Sequence, residues 1–148
     1  MHRLRNRLIP ACLASLVCAA AIAQASTLSA SDVWIRVTPG NDVAAAYLTL
    51  HNGGTQPLVV TAVSSPRLAM AMIHETRLVN GQSTMRAHEE LSIAPGETLR
   101  LAPGGLHVML HQTSRPLAIG EVVPLTLQLK GGGSLTVTAR VRALGAGG

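Results

Sequence analysis

Apolar and polar residues alternate in short stretches along most of this chain, and Gly, Pro, Asn or Ser interrupts them at intervals of about 8–12 residues. A two-residue period is typical of β-strands with one buried face, whereas no stretch has the 3.6-residue period of an amphipathic helix. The pattern predicts eight strands, at residues 32–37, 44–50, 58–63, 70–76, 99–101, 106–111, 125–130 and 135–141. It therefore favours an all-β fold, either a two-sheet sandwich or a Greek-key barrel.

The same alternation predicts a terminal hairpin and the content of the core. Residues 125–130 and 135–141 alternate most clearly, and residues 131–133 between them are all Gly. Glycines between two alternating stretches form a tight turn, so these two strands are predicted to pair. The chain has no Phe, and Trp34 and Tyr47 are its only aromatic residues. We expect an aliphatic core in which these two side chains anchor the inner face.

The first 25 residues have the pattern of a secretory signal peptide. Arginines precede an apolar run at residues 11–23, and Ala23-Gln24-Ala25 offers a cleavage point before Ser26. The run is shorter than the ~20 residues that span a bilayer, which favours a removable leader over a permanent anchor. We therefore expect a leader at residues 1–25, one domain at 26–142, a flexible tail at 143–148 and no membrane anchor after cleavage.

Composition narrows the class of protein further. Cys12 and Cys18 both lie in the predicted leader, so the mature domain should contain neither a thiol nor a disulfide. Without the leader's arginines, the 12 basic residues fall to 9 against 7 acidic ones, and no basic stripe remains for nucleic-acid binding. The chain also lacks a nucleophile elbow and a glycine loop for phosphate, which argues against an enzyme.

Histidine and methionine side chains concentrate on one face of two predicted strands. All methionines except Met1 lie between residues 70 and 109. Side chains two residues apart on a strand point to the same face, so sulfur and imidazole ligands separate from the apolar residues between them. Packing alone does not require this division. The ligand-bearing faces carry Met70, Met72 and His74 on one strand and His107, Met109 and His111 on the other.

Three of these residues, together with Met85, follow a spacing typical of a metal site: His74, ten residues, Met85, twenty-one residues, His107, one residue, Met109. Neutral imidazole and thioether ligands favour Cu(I), and without a Cys thiolate a blue-copper electron-transfer site is not expected. Because His binds metal only when neutral, Cu(I) affinity should weaken as the pH falls through roughly 6. A metal-free alternative is that Met fills gaps in the core and His makes local hydrogen bonds. We expect His51 and His88 to be surface residues.

This spacing is the signature of the periplasmic PCuAC copper chaperones, and the chain resembles that family over about residues 28–142. The most similar stretches are residues 34–36, 44–48, 73–75, 103–110 and 123–127. The resemblance implies a single cupredoxin-like domain, a Greek-key β-sandwich or barrel, in the periplasm. It also implies one Cu(I) ion near the surface, bound by His74, Met85, His107 and Met109. Met72 and His111 are auxiliary candidates, and His111 stands where many relatives carry another Met.

The function implied by the resemblance is copper delivery for assembly of the binuclear copper site of cytochrome oxidase. The expected partners are the copper-bearing oxidase subunit and a Sco-type thiol protein. Two alternatives stay open on the sequence. One is a periplasmic copper buffer or resistance protein that binds the same ion without passing it to an oxidase. The other is a secreted β-sandwich that binds a protein partner and no metal.

Overall fold

A computed structural model of the chain describes residues 27–112 and 115–145. The predicted leader lies outside the described residues, as do residues 146–148 of the predicted tail. The described residues form strands and turns without a helix, which confirms the all-β prediction, and no helix among them could cross a membrane. The strands are β1 (Leu28–Val37), β2 (Val43–Asn52), β3 (Leu58–Ser64), β4 (Leu68–Val79), β5 (Gln82–His88), β6 (Leu91–Ile93), β7 (Thr98–Leu101), β8 (Leu106–Gln112), β9 (Val122–Leu129) and β10 (Ser134–Ala143).

The strands form one hydrogen-bonded sheet in the order β5-β4-β8-β2-β1-β10-β9-β3-β6, with β7 also paired to β2. The β1–β10 pair is parallel and the other pairs are antiparallel. The sheet folds over itself, because Val60 of β3 and Leu125 of β9 line the same apolar space as Leu48 of β2 and Val108 of β8. Large aliphatic side chains enclosed in this way each contribute roughly 1.5–3 kcal/mol. The two layers confirm the predicted cupredoxin-like sandwich.

The predicted terminal hairpin is confirmed. Strands β9 and β10 pair in register from Gln128 opposite Ser134 back to Val122 opposite Arg140. All three glycines of the connection have positive φ angles, 85°, 101° and 90°, which side chains with a Cβ rarely adopt.

Two strands, β5 and β6, were not predicted. β5 lies at one edge of the sheet, and its residues are exposed except for the half-buried His88, so no apolar residue marks a buried face. Its pairing is set by the turn at Asn80 and Gly81, whose φ angles are 51° and 77°, with Val79 opposite Gln82. Asn-Gly is the strongest short hairpin signal, and it was available in the sequence. The strand matters because it carries Met85.

The prediction that Trp34 and Tyr47 anchor the inner face is wrong. Residues that alternate with them, such as Ile35 and Leu48, face the core, so the two aromatic rings lie on the outer face of β1 and β2. Their centroids are 4.7 Å apart, and the guanidinium groups of Arg142 and Arg36 lie 5.3 and 5.2 Å from the rings of Trp34 and Tyr47. Tyr47 is nevertheless buried, at 2% exposure, and its ring centroid lies 6.5 Å from that of His107.

An ion pair outside the core joins the residue before β4, Arg67, to the residue before β9, Glu121. The Glu121 carboxylate accepts hydrogen bonds from Arg67 Nε at 2.7 Å and from the backbone N–H of Ala118 at 3.0 Å. These bonds, the arginine first, lower the pKa of Glu121 to about 2. A lowered folded-state pKa means that this stabilisation is present above the ordinary carboxyl pKa and is lost as the pH falls through about 2.

We therefore expect Glu121→Gln to lower the free energy of unfolding near pH 7 by about 1 kcal/mol, the usual net value of a hydrogen bond. The difference from wild type should shrink below pH 4.5, the ordinary value, and vanish near pH 2. Urea unfolding across this range measures it. Glu90→Gln is the matched control, because the ion pair of Glu90 with Lys130 is exposed. A deficit that persists unchanged at pH 2 would contradict the ionic origin.

Candidate metal centre

The register between β4 and β8 brings two histidines together. His74 lies directly opposite His107, and their rings meet edge to face with centroids 6.0 Å apart. Both side chains are buried, at 8% and 7% exposure. Their chain neighbours Ile73 and Val108 point to the opposite face and pack in the core, which fixes the imidazoles on the outer face. The two histidines predicted as ligands are therefore neighbours in space.

Strand β5 adds a thioether to this pair. Met85 lies opposite Thr76, next to His74 on the same face of the sheet, and its Sδ is 3.1 Å from His74 Nδ1. Although its sulfur touches a buried imidazole, the Met85 side chain is 57% exposed. The third predicted ligand thus closes the site from the solvent side.

Met109, the fourth predicted ligand, lies two residues beyond His107 on β8 and therefore points to the same face. It lines a groove of about 210 Å³ together with Met85 and His107. The His107 Nδ1–H donates a hydrogen bond to the carbonyl oxygen of Gly105 at 3.0 Å, because a carbonyl can only accept. This bond selects the tautomer in which Nε2 keeps its lone pair free to bind a metal.

The electrostatics of the groove disfavour ions of high charge. No carboxylate lines it, and Arg36 does. Among the described residues, no three His, Cys, Asp or Glu side chains form a group that could hold a metal, so thioether sulfur is needed to complete a ligand set. The pKa of His74 is lowered, first by burial and then by the nearby histidines His107, His111 and His88. His74 therefore keeps its neutral, metal-binding form at lower pH than an exposed histidine.

The auxiliary candidates lie further along the same face. Met72 is opposite Met109, and Met70 is opposite His111. His88 belongs to the other face, where its Nε2 is 2.9 Å from Glu75 Oε2 and away from the groove. Its side chain is 28% exposed there, which agrees with a position at the surface.

His51 is more fully exposed, and its Nδ1 lies 3.0 Å from Thr98 Oγ1. Three contributors at or beside the groove were not predicted. The Gly105 carbonyl that orients His107, the Arg36 guanidinium and the Tyr47 ring have no signal in the spacing of the ligands.

Comparison with known proteins places this chain in a family. The profile of the LpqE-like family, described as "Putative lipoprotein LpqE-like", matches residues 28–141. A protein of Leifsonia xyli subsp. xyli named "Putative lipoprotein Lxx21020" is 32% identical over 120 residues, which are 80% of this chain and 72% of that protein.

Solved structures with the same fold include copper-bound proteins. The solution structure of CuI-DR1885 from Deinococcus radiodurans is 34% identical with a TM-score of 0.60, over 82% of this chain and 83% of that one. Apo-DR1885 is 30% identical with a TM-score of 0.62, over the full length of both chains. The copper-bound PCuAC domain from PmoF2 has a TM-score of 0.66 over 80% of this chain and 94% of that one, and at 23% identity it shows a shared fold.

Proposed function

This chain belongs to the LpqE-like family and has the fold of PCuAC domains, and from that premise we propose that it is a copper chaperone that binds one Cu(I) ion and passes it to a partner protein. The observation that carries the proposal is the meeting of His74, His107 and Met85 on one outer sheet face beside Met109. The relative DR1885, whose structure has been solved with Cu(I), supports the choice of ion. We propose binding and transfer without catalysis.

The proposed ligands are His74, Met85, His107 and Met109. All four are uncharged when they bind, so they compensate none of the charge of a divalent ion, and Arg36 in the groove lining adds a positive charge. Soft sulfur and borderline nitrogen ligands favour Cu(I) over the other common biological metals. His107 would bind through Nε2, because its Nδ1–H is held by the Gly105 carbonyl.

The unequal exposure of the ligands suggests how the ion leaves. Met85 is the most exposed of the four and lies on β5, the edge strand beside β4 in the described sheet, whereas the imidazoles are buried. An incoming ligand can therefore displace the Met85 thioether first, while both histidines still hold the ion. Thiolates bind Cu(I) more strongly than thioethers, so a thiol-bearing acceptor makes the transfer favourable. We propose a Sco-type thiol protein or the copper-bearing subunit of cytochrome oxidase as that acceptor.

Location completes the proposal. The lipoprotein names of the matched family and of the Leifsonia xyli relative suggest an exported protein. We propose that residues 1–25 direct export and are removed, that residues 26–142 form the copper-binding domain, and that the domain works in the periplasm without a membrane anchor.

X-ray absorption on the Cu(I)-loaded protein tests the ligand set. We expect one equivalent of Cu(I) to stay bound through gel filtration, with sulfur and nitrogen scattering in comparable number, and to raise the melting temperature, since a ligand of the folded state stabilises it. Copper lost on the column, or a shell of nitrogen and oxygen alone, would contradict the site. A metal-free β-sandwich module fails this test, and a copper buffer passes it but does not load an oxidase subunit in a transfer assay.

A further inference from the structure

On one face of the sheet, three successive cross-strand pairs of β4 and β8 consist entirely of histidine and methionine. The pairs are His74 with His107, Met72 with Met109, and Met70 with His111. Directly opposite residues of an antiparallel pair share a face and have Cβ atoms about 4.5–5.5 Å apart. Successive pairs on that face are two residues apart, or roughly 7 Å along the strand. The outer face therefore carries a ladder of three rungs, and the proposed Cu(I) site occupies its first rung and part of its second.

The third rung contains an imidazole nitrogen that lacks a partner. Nε2 of His111 is buried and makes no hydrogen bond to any part of the chain that the structure describes. Leaving a polar atom buried without a partner costs free energy, so such an atom in a folded protein calls for an explanation. A bound ion supplies one, because a metal takes up the lone pair of an imidazole nitrogen.

Two thioethers lie close enough to complete a ligand set around that nitrogen. Met70 is directly opposite His111 and is 48% exposed, so its sulfur can be reached from solvent. Met72 lies two residues further along β4 on the same face and is half-buried. Long unbranched methionine side chains reach diagonal neighbours on a sheet face.

We propose that Met70, Met72 and His111 form a second Cu(I) site on the third rung. One imidazole nitrogen and two thioethers make a neutral, soft, three-ligand set that suits a monovalent copper ion. The site should be weaker than the first, since it has one fewer histidine. It lies about 13 Å from the first rung, four residues along the strand, so both ions can be bound at once.

The middle rung gives the ladder a function beyond storage. Met72 and Met109 lie opposite each other between the two sites. An ion that moves from the third rung to the first can exchange Met72 for Met109 without ever losing a sulfur ligand. No electron is transferred in these steps, because one thioether simply replaces another on Cu(I). The third rung is thus a loading position for the first. This inference rests on the proposed function for the choice of Cu(I), but the second site shares no ligand with the first.

Methyl NMR of protein labelled at the methionine methyl groups tests the second site. Strands β4, β5 and β8 carry four methionines, Met70, Met72, Met85 and Met109, which single Met→Leu variants assign. Under anaerobic titration with Cu(I), we expect the first equivalent to shift Met85 and Met109 and the second to shift Met70 and Met72. His111→Leu should weaken the second binding step at least about 10-fold and change the first less than about threefold. His51→Leu is the matched control, because His51 is exposed, hydrogen-bonds the Thr98 hydroxyl and belongs to neither site.

The outcomes separate the two proposals. If the second equivalent leaves Met70 and Met72 unshifted, or if His111→Leu does not weaken it, the second site is overturned and the chaperone proposal stands. If all four methyls shift together with the first equivalent, a separate second site is likewise overturned. If the first equivalent leaves Met85 and Met109 unshifted, the proposed function itself fails.

Discussion

Replacing His107 by Ala will lower the Cu(I) affinity at pH 7 by at least about 100-fold. Removing groups that only orient a metal ligand already costs about 10–100-fold, and His107 is a proposed ligand. It is also the histidine whose tautomer is fixed, by the Gly105 carbonyl. Competition against a Cu(I) chelator measures the loss. His51→Ala is the matched control, because His51 is exposed and its imidazole hydrogen-bonds the Thr98 hydroxyl rather than any proposed ligand. A variant that keeps its affinity within threefold of wild type would exclude His107 as a ligand.

The pH dependence of the same variant provides a second readout. Each histidine must be neutral to bind Cu(I), so the logarithm of the wild-type affinity should fall by up to about two per pH unit in acid. Without His107 the slope should approach one. Burial and neighbouring histidines lower the pKa of His74. The loss of affinity caused by protonation of His74 should therefore occur at pH values below the ordinary histidine pKa of about 6.5. Because His107 is one of those neighbours, its removal should raise the pH at which protonation of His74 weakens Cu(I) binding.

Replacing Asn52 by Ala will destabilise the fold by on the order of 3 kcal/mol without touching the copper ligands. Asn52 is fully buried at the end of β2, and its amide nitrogen donates to the carbonyls of Gln56 at 2.8 Å and Ile93 at 3.1 Å. Its Oδ1 accepts from the Gly54 N–H at 3.0 Å. The variant leaves the buried Ile93 carbonyl without its donor, at a cost of about 1–3 kcal/mol, and also removes the part-buried bonds to Gln56 and Gly54.

Urea unfolding monitored by Trp34 fluorescence measures this loss. Asn41→Ala is the matched control, since Asn41 is exposed and its side chain accepts a single bond from the Val43 N–H at 2.9 Å. We expect the control to lose less than about 1 kcal/mol. At low denaturant, Asn52→Ala should bind Cu(I) as wild type does. A loss of stability no larger than that of the control would contradict the role of Asn52.

Much of the fold could be predicted because most strands have one buried face. The alternation in β9 and β10 follows directly from their position over the aliphatic core. β5 has no buried face, so nothing in its apolar pattern indicates a strand, and only the Asn80-Gly81 turn does. Trp34 and Tyr47 were misassigned because alternation tells which residues share a face but not which of two faces is inside.

The sequence predicted which residues belong to the candidate site but not how they are arranged in space. The face shared by His107 and Met109 follows from strand geometry alone. Which residue of β4 lies opposite His107 depends on the register of two strands about thirty residues apart in sequence, and local patterns do not determine such long-range pairing. The burial of the imidazoles and the exposure of Met85 follow from that register, and so does the three-rung ladder.

The parallel pairing of β1 with β10 joins the two ends of the domain. If the chain crosses a membrane amino end first, Leu28–Val37 emerges early and must wait for Ser134–Ala143 before both of its edges are paired. Contacts so distant in sequence are slow to form, because a long loop must close before they are made. The strands that carry the ligands all emerge before that last partner. Folding would therefore be completed only after export, and a stable copper complex would form outside the cytoplasm rather than be carried across already loaded.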